Sequence, residues 1–160
     1  MALAAVHGGR LQRADIPLAH GPVIGEGMAR LMGQYIHIGG DEAPHRMWEQ
    51  CQECRAYMKA HGITSTKELY GEYMGRVASY VLSLGKTPMV WEGFPKEGSE
   101  KVPKETVVIS WENHYQTTEE LLESGFEIIN ASWKPLYVVP KKNMWDPEVI
   151  LDWEPNRWEN

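Results

Sequence analysis

Tyr35-Ile36-His37-Ile38-Gly39-Gly40-Asp41-Glu42 is the stretch on which the reading of this chain turns. Its first four residues are aromatic or β-branched with one His between, a β-rich run that Gly39-Gly40 stops. Downstream, strands and helices alternate. Arg46 to Ala60 reads as a helix ended near Gly62. Ser65-Thr66-Lys67-Glu68 reads as a capping box opening a longer helix, with an apolar stripe at Leu69, Tyr73, Val77, Tyr80 and Leu84 and a stop at Gly85. Thr87 to Trp91 is a second strand, and a Pro/Gly/Lys-rich loop follows Glu92. Thr106 to Trp111 is a third strand, continuously apolar and so expected to be covered on both faces. Thr117 or Thr118 caps a short helix through Ser124, and Phe126 to Ala131 is a fourth strand. Such alternation predicts an α/β fold: a parallel sheet with right-handed crossover helices, either a barrel or a doubly wound sheet.

The strand ends narrow the choice. The first carries Asp41-Glu42, the second Trp91-Glu92, the third Trp111-Glu112-Asn113-His114, and the fourth Asn130 through Trp133, with Tyr137 beyond. Ligands of parallel α/β folds bind at the carboxyl ends of strands. Four successive ends rich in carboxylates and Trp therefore predict one shared pocket on a barrel.

Composition fits such a site. The chain has 160 residues, 42% hydrophobic and 24% charged, enough for one domain with a core. Seven Trp stand against two Phe, and flat indole faces stack on sugar rings as well as filling cores. A net charge of −6 with no Lys/Arg cluster argues against nucleic acid and anionic membrane as partners. No apolar run approaches the roughly 20 residues of a membrane span. Met1 to Val6 is short and lacks a basic segment, so a signal peptide is not expected. Cys51 and Cys54 are the two cysteines, spaced C-x-x-C. No second pair follows for zinc; the spacing also suits a redox pair, but the flanks read as helix without a thioredoxin-like setting, so two unpaired thiols on a helix are expected. With no disulfide scaffold, a cytoplasmic location is the expectation. No metal or cofactor is expected.

His37-Ile38-Gly39-Gly40-Asp41-Glu42 resembles the H-x-G-G-D-E signature of the family-20 glycoside hydrolases, the β-N-acetylhexosaminidases. Trp91 and Trp111 resemble that family's Trp residues at the ends of its fifth and sixth strands. Asn130 to Tyr137 resembles the segment whose Tyr contacts the substrate acetamide. The resemblance covers about 35–137 and implies a retaining exo-β-N-acetylhexosaminidase acting on terminal β-linked GlcNAc or GalNAc. It implies substrate-assisted catalysis, in which the 2-acetamido oxygen replaces an enzyme nucleophile. Glu42 is then the general acid and later the base. Asp41 orients the acetamide and stabilises the cationic intermediate. Tyr137 donates to the acetamide oxygen, Trp91 and Trp111 wall its pocket, and Trp133 serves as wall or as packing. His37 reads as a strand-core or supporting residue near the substrate. Neighbours on a strand face opposite ways, so Asp41 and Glu42 can serve one substrate only where Gly39-Gly40 turns the strand into a loop.

Residues 1–160 are thus expected to form a single, partial catalytic barrel. Four strands of the family's eight can be placed, about half of a TIM (β/α)8 barrel. Val139 stands where the family often has Asp or Asn for the outer sugar hydroxyls. Half a barrel leaves apolar edges and an open interior, so a homo-oligomer that completes it is expected. Two other functions fit the same residues. One is a non-catalytic N-acetylhexosamine-binding module. The other is a metal-dependent hydrolase using Asp41, Glu42 and His37.

Overall fold

The structure, a computed structural model, describes residues 33–142 and 144–158. Among these are four strands: β1 (Tyr35–His37), β2 (Thr87–Trp91), β3 (Val107–Ser110) and β4 (Glu127–Asn130). Every neighbouring pair is parallel, and the spatial order is β1-β2-β3-β4. A doubly wound sheet reverses its order at a switch point, whereas a barrel adds each strand beside the last. The observed order is the barrel's, and the sheet forms about half of one. Val23 to Met32, which also reads as a candidate helix weakened by Gly25 and Gly27, lies outside the described residues.

Register divides the sheet into two faces. Ile36 pairs with Pro88, Val90 with Val108, and Val108 with Ile128. This outward face meets the helices and forms the core with Leu69, Tyr70, Met74, Ala78, Val81, Leu121 and Phe126. The opposite face carries His37, Met89, Trp91, Ile109 and Ile129. All of β3 is buried, as its unbroken apolar run predicts. At the two edges the second face is bare: Tyr35 is 60% exposed and Ile129 is 43% exposed.

The helix expected over Arg46 to Ala60 is two elements. A 3-10 helix spans His45–Gln50, and α1 spans Gln52–His61. Cys51 between them is extended (φ −78°, ψ 121°) and caps α1, so the break is a cap that helical periodicity does not reveal. Gly62, left-handed at φ 68°, ends α1 as predicted. Ser65 caps α2 (Thr66–Ser83), its Oγ accepting from the Glu68 amide at 3.1 Å. The expected return bond of a capping box goes one residue further back, because the Glu68 carboxylate accepts from the Thr64 amide at 2.8 Å. The full box occurs instead at Thr117 and Glu120, opening α3 (Thr118–Glu123). On α2 the buried face is Leu69, Tyr70, Met74, Ala78 and Val81. It is rotated from the predicted stripe, whose Tyr73 and Val77 pack at the core margin.

That rotation has a steric reason. Gly71 and Gly75 turn towards the 3-10 helix Lys96–Lys101, and a Cβ on Gly71 would lie against the Gly98 carbonyl, a backbone atom that cannot give way. Replacing Gly71 with Ala gains up to about 1 kcal/mol of helix propensity. It also forces apart two packed backbones, an overpacking cost of about 1–3 kcal/mol. The second effect wins, so G71A should melt at a lower temperature than wild type. A melting temperature equal to wild type would show that the close approach is not required.

Beyond β4 come a helical turn at Trp133–Leu136 and α4 (Pro147–Leu151), the latter capped by Asp146. The sequence predicts neither, since no apolar period marks the segment. Asn130 Nδ2 donates to the carbonyls of Pro155 and Arg157, which ties the tail to the end of β4.

Candidate active site

The hydrogen-bond ladder between β1 and β2 runs one step past the strand. The Ile38 amide donates to the Met89 carbonyl at 2.9 Å, and the Trp91 amide to the Gly39 carbonyl at 3.0 Å. The chain then leaves the sheet. Gly39 (φ 81°) and Gly40 (φ 106°) adopt conformations that side-chain-bearing residues avoid. Glu42 also has positive φ, at 47°. For a residue with a Cβ the left-handed region costs roughly 1–2 kcal/mol, a strain typical of functional loops. The turn lifts Asp41 and Glu42 off the strand end, and both are exposed.

Three contacts hold the Gly40–Asp41 part of this loop. The Tyr70 hydroxyl on α2 donates to the Gly40 carbonyl at 2.6 Å. The Met74 side chain fills the space against Gly40, where a Cβ would sit 2.8 Å from its terminal carbon. Gly93, just past β2, presses on the Gly40–Asp41 peptide; a Cβ there would meet the Gly40 carbonyl and lie 2.8 Å from Asp41 Cα.

Beside the pair stands an aromatic row. The His37 ring lies 5.2 Å from Trp91, and Trp91 lies 6.4 Å from Trp111 in an edge-to-face arrangement. His37 Nδ1 accepts from the Gly39 amide at 3.1 Å, which places the hydrogen of the neutral ring on Nε2. Burial pulls the His37 pKa down, and the negative charge of Asp41 opposes that shift. Tyr70 and Tyr115 border the carboxylates. Burial is the main cause that raises both phenols; Asp41 adds to it at Tyr70, and Glu92 and then Glu42 add to it at Tyr115.

Glu92 is the residue the sequence reading undervalues. In the sequence it stands only as the carboxylate that follows Trp91. The structure shows a carboxylate only 1% exposed that holds backbone instead. Its Oε1 accepts from the amides of Tyr115 (2.9 Å) and Gln116 (3.1 Å). Its own carbonyl accepts from Trp111 Nε1 at 2.9 Å, and its amide donates to Ile109 at 2.8 Å. Gln116 Nε2 closes the loop onto the Phe94 carbonyl at 2.8 Å. Glu92 thus joins the ends of β2 and β3 and fixes Tyr115 beside the loop of Glu42. A Glu directly after a strand-ending Trp, followed by Gly, is the signal available in the sequence.

Burial raises the Glu92 pKa, opposed by the amides of Tyr115 and Gln116. The folded state therefore binds its proton more tightly than the unfolded chain. Stability from this group is fully present at low pH. It declines as pH rises from the ordinary carboxyl value through the raised folded value. Glu92→Gln keeps an acceptor for both amides and removes this decline, so its melting temperature relative to wild type should climb between pH 4 and neutrality. Glu92→Ala leaves two amides buried without partners, at about 1–3 kcal/mol each, and should be destabilised at every pH. Equal melting of all three proteins across that range would overturn this account.

The fourth strand end contributes less directly. The Trp133 amide donates to the Trp111 carbonyl at 3.0 Å, which brings the backbone of this segment to the aromatic row. Its ring packs edge-on against Trp145 at 6.1 Å, and Trp145 Nε1 donates to the Tyr137 carbonyl at 3.1 Å. Trp145 therefore pins the tail to the segment after β4. The Tyr137 side chain is 53% exposed. Glu112 and His114 are also exposed. The structure thus gathers His37, Asp41, Glu42, Trp91 and Trp111 at the ends of β1 to β3, with Trp133 and Tyr137 on the neighbouring segment. A separate surface cleft is lined by His45, Arg46, Glu49, Arg55, Met58 and Thr64 to Lys67, and includes neither carboxylate of the pair.

A parallel sheet laid down in chain order, with a strained acidic loop and an indole row at its carboxyl ends, defines a (β/α)8-type barrel domain. The chain belongs to glycosyl hydrolase family 20: the model of that family's catalytic domain matches residues 20–158. A β-hexosaminidase of Vibrio furnissii is 31% identical over 131 residues, which are 82% of this chain and 21% of that protein. The chain thus spans about a fifth of the length of that curated relative. An exo-β-N-acetylglucosaminidase of Vibrio harveyi, solved with N-acetylglucosamine, is 32% identical with a TM-score of 0.52, over 66% of this chain and 16% of that one. A β-N-acetylhexosaminidase from Bacteroides fragilis superposes with a TM-score of 0.70 over 92% of this chain and 33% of its own, at 19% identity, a likeness of fold.

Proposed function

We propose that this chain carries the catalytic pair of a retaining exo-β-N-acetylhexosaminidase, which hydrolyses terminal β-linked GlcNAc or GalNAc with help from the substrate's own acetamide. The observation that carries this reading is the Asp41–Glu42 loop, lifted from the strand end by Gly39 and Gly40 and standing beside the His37–Trp91–Trp111 row. In the proposed reaction the acetamide oxygen bonds to the anomeric carbon as the glycosidic C–O bond breaks, and Glu42 gives its proton to the leaving oxygen. Asp41 accepts the acetamide N–H and faces the positive oxazolinium that forms. Water then attacks the anomeric carbon, losing a proton to Glu42, and the oxazoline ring opens to restore the acetamide. Trp91 and Trp111 wall the acetamide, with Trp133 beside them, and Tyr137 donates to the acetamide oxygen. His37 supports the wall from below.

Turnover of an aryl N-acetyl-β-glucosaminide, assayed with and without chelator, tests the proposal. Chelator-insensitive turnover supports it. Sugar binding without turnover would favour a binding module derived from the fold, and loss of activity in chelator would favour a metal-dependent hydrolase.

We further propose that a second copy of the chain covers the open interior face. Tyr35 and Ile129 are exposed there, and Leu136, Tyr137 and Val138, beyond β4, are exposed as well. Apolar strands of this kind need cover on both faces. Light scattering should give a multiple of 18.3 kDa, and activity should fall on dilution. A stable, active species of 18.3 kDa at micromolar concentration would overturn the assembly.

A further inference from the structure

The C-x-x-C pair is not two thiols spaced along one helix. Cys51 lies outside α1 as its N-cap, with extended backbone, and Cys54 is the third residue inside. The Cys51 sulfur accepts the Cys54 amide at 3.4 Å. Cys51 is partly exposed while Cys54 is only 3% exposed, so Cys51 is the residue of the pair that solvent reaches.

From this arrangement we propose that Cys51 and Cys54 form a thiol–disulfide exchange site, with Cys51 as the attacking sulfur and Cys54 as the resolving one. The cap position supplies an amide donor and the positive end of the α1 dipole to a sulfur anion. Hydrogen bonds from the Cys54 thiol and amide hold the Cys51 thiol below its ordinary pKa, while burial pushes Cys54 up to about 12. The two sulfurs thus differ as an attacking and a resolving thiol must. The co-reactant is a small disulfide such as glutathione disulfide. The Cys51 thiolate attacks one of its sulfurs; the S–S bond breaks and one glutathione leaves as thiolate, taking up a proton from water. Cys54 then yields its proton to water and attacks the Cys51 sulfur, releasing the second glutathione, which is protonated in turn. Overall the protein dithiol is oxidised to an internal disulfide and one glutathione disulfide is reduced to two thiols.

The site is linked to the candidate active site by packing. Cys51 ends the 3-10 helix that carries Trp48, whose ring lies 5.8 Å from Tyr70, and Tyr70 holds the Gly40 carbonyl. The exchange chemistry itself does not depend on the hydrolase reading, and its test needs no glycoside.

The full chain, incubated with glutathione disulfide at neutral pH, should pass through a transient adduct to a product about 2 Da lighter than the dithiol. In Cys54→Ser the adduct should persist on Cys51, and in Cys51→Ser it should scarcely form. Peptide-mapped alkylation of the wild type needs no variant: at pH 7, Cys51 should react at least about 10-fold faster than Cys54. A wild type that keeps a stable adduct without closing the internal disulfide would overturn the proposal. So would equal alkylation of the two thiols, or Cys51→Ser reacting as fast as wild type.

Discussion

Exchanging Glu42 for Gln should cost about 10²–10⁴-fold in turnover of a natural β-linked disaccharide, the usual worth of a positioned general acid. Substrates with acidic aryl leaving groups need less protonation and should retain more of their rate. The substitution is nearly isosteric, and the anchors of the loop are the Gly40 carbonyl and the Gly93 contact rather than the Glu42 carboxylate. The E42Q protein should therefore melt within about 0.5 kcal/mol of wild type, as surface changes do. A mutant that cleaves the disaccharide at nearly wild-type rate would remove Glu42 from the role. Its negative charge also contributes to raising the Tyr115 phenol, so that phenol should titrate lower in E42Q even without substrate.

Asp41→Asn should lower kcat on the order of 10²-fold and weaken ground-state binding much less. The carboxylate's proposed partner, a cationic oxazolinium, exists only after the barrier is climbed, and interactions made only then raise kcat. A thiazoline analogue of the intermediate should inhibit the wild type and lose affinity for D41N. Equal reaction of substrates lacking the 2-acetamido group would rule out the substrate-assisted course. The same variant has a second readout that requires no turnover. Asp41 opposes the burial that lowers the His37 pKa, so without it His37 should titrate lower still, visible in its ring NMR signals. An unmoved His37 titration would mean that Asp41 does not face the aromatic row.

Much of the fold can be read from local pattern where pattern and packing coincide. β2 falls at Thr87–Trp91 as expected, because a short apolar run set between Gly85 and Gly93 marks it locally. The helix expected from Thr117 or Thr118 is equally plain, since its cap and final Gly are both local. Reading fails where a tertiary contact overrides the pattern. The buried face of α2 is rotated because Gly71 and Gly75 meet a backbone more than twenty residues away. The break at Cys51 depends on which sulfur an amide finds, and the 3-10 helix Lys96–Lys101 has no apolar period to betray it. At the candidate site the Gly-Gly turn and the aromatic row were legible because chain order equals spatial order in this sheet. The role of Glu92 is marked only by its place between Trp91 and Gly93, because its partners are amides, which the sequence does not single out.

The anchoring of the Asp41–Glu42 loop has a consequence for proton transfer. Its supports are a phenol bound to a carbonyl, a methionine side chain and a glycine pressed on a peptide, none of which carries a formal charge. Had the loop been tethered by an ion pair through either carboxylate, each gain or loss of a proton would weaken the tether and shift the acid relative to its target. Here none of the three supports is an ion pair through either carboxylate. In the proposed reaction the loop can then offer the same geometry to both of its steps.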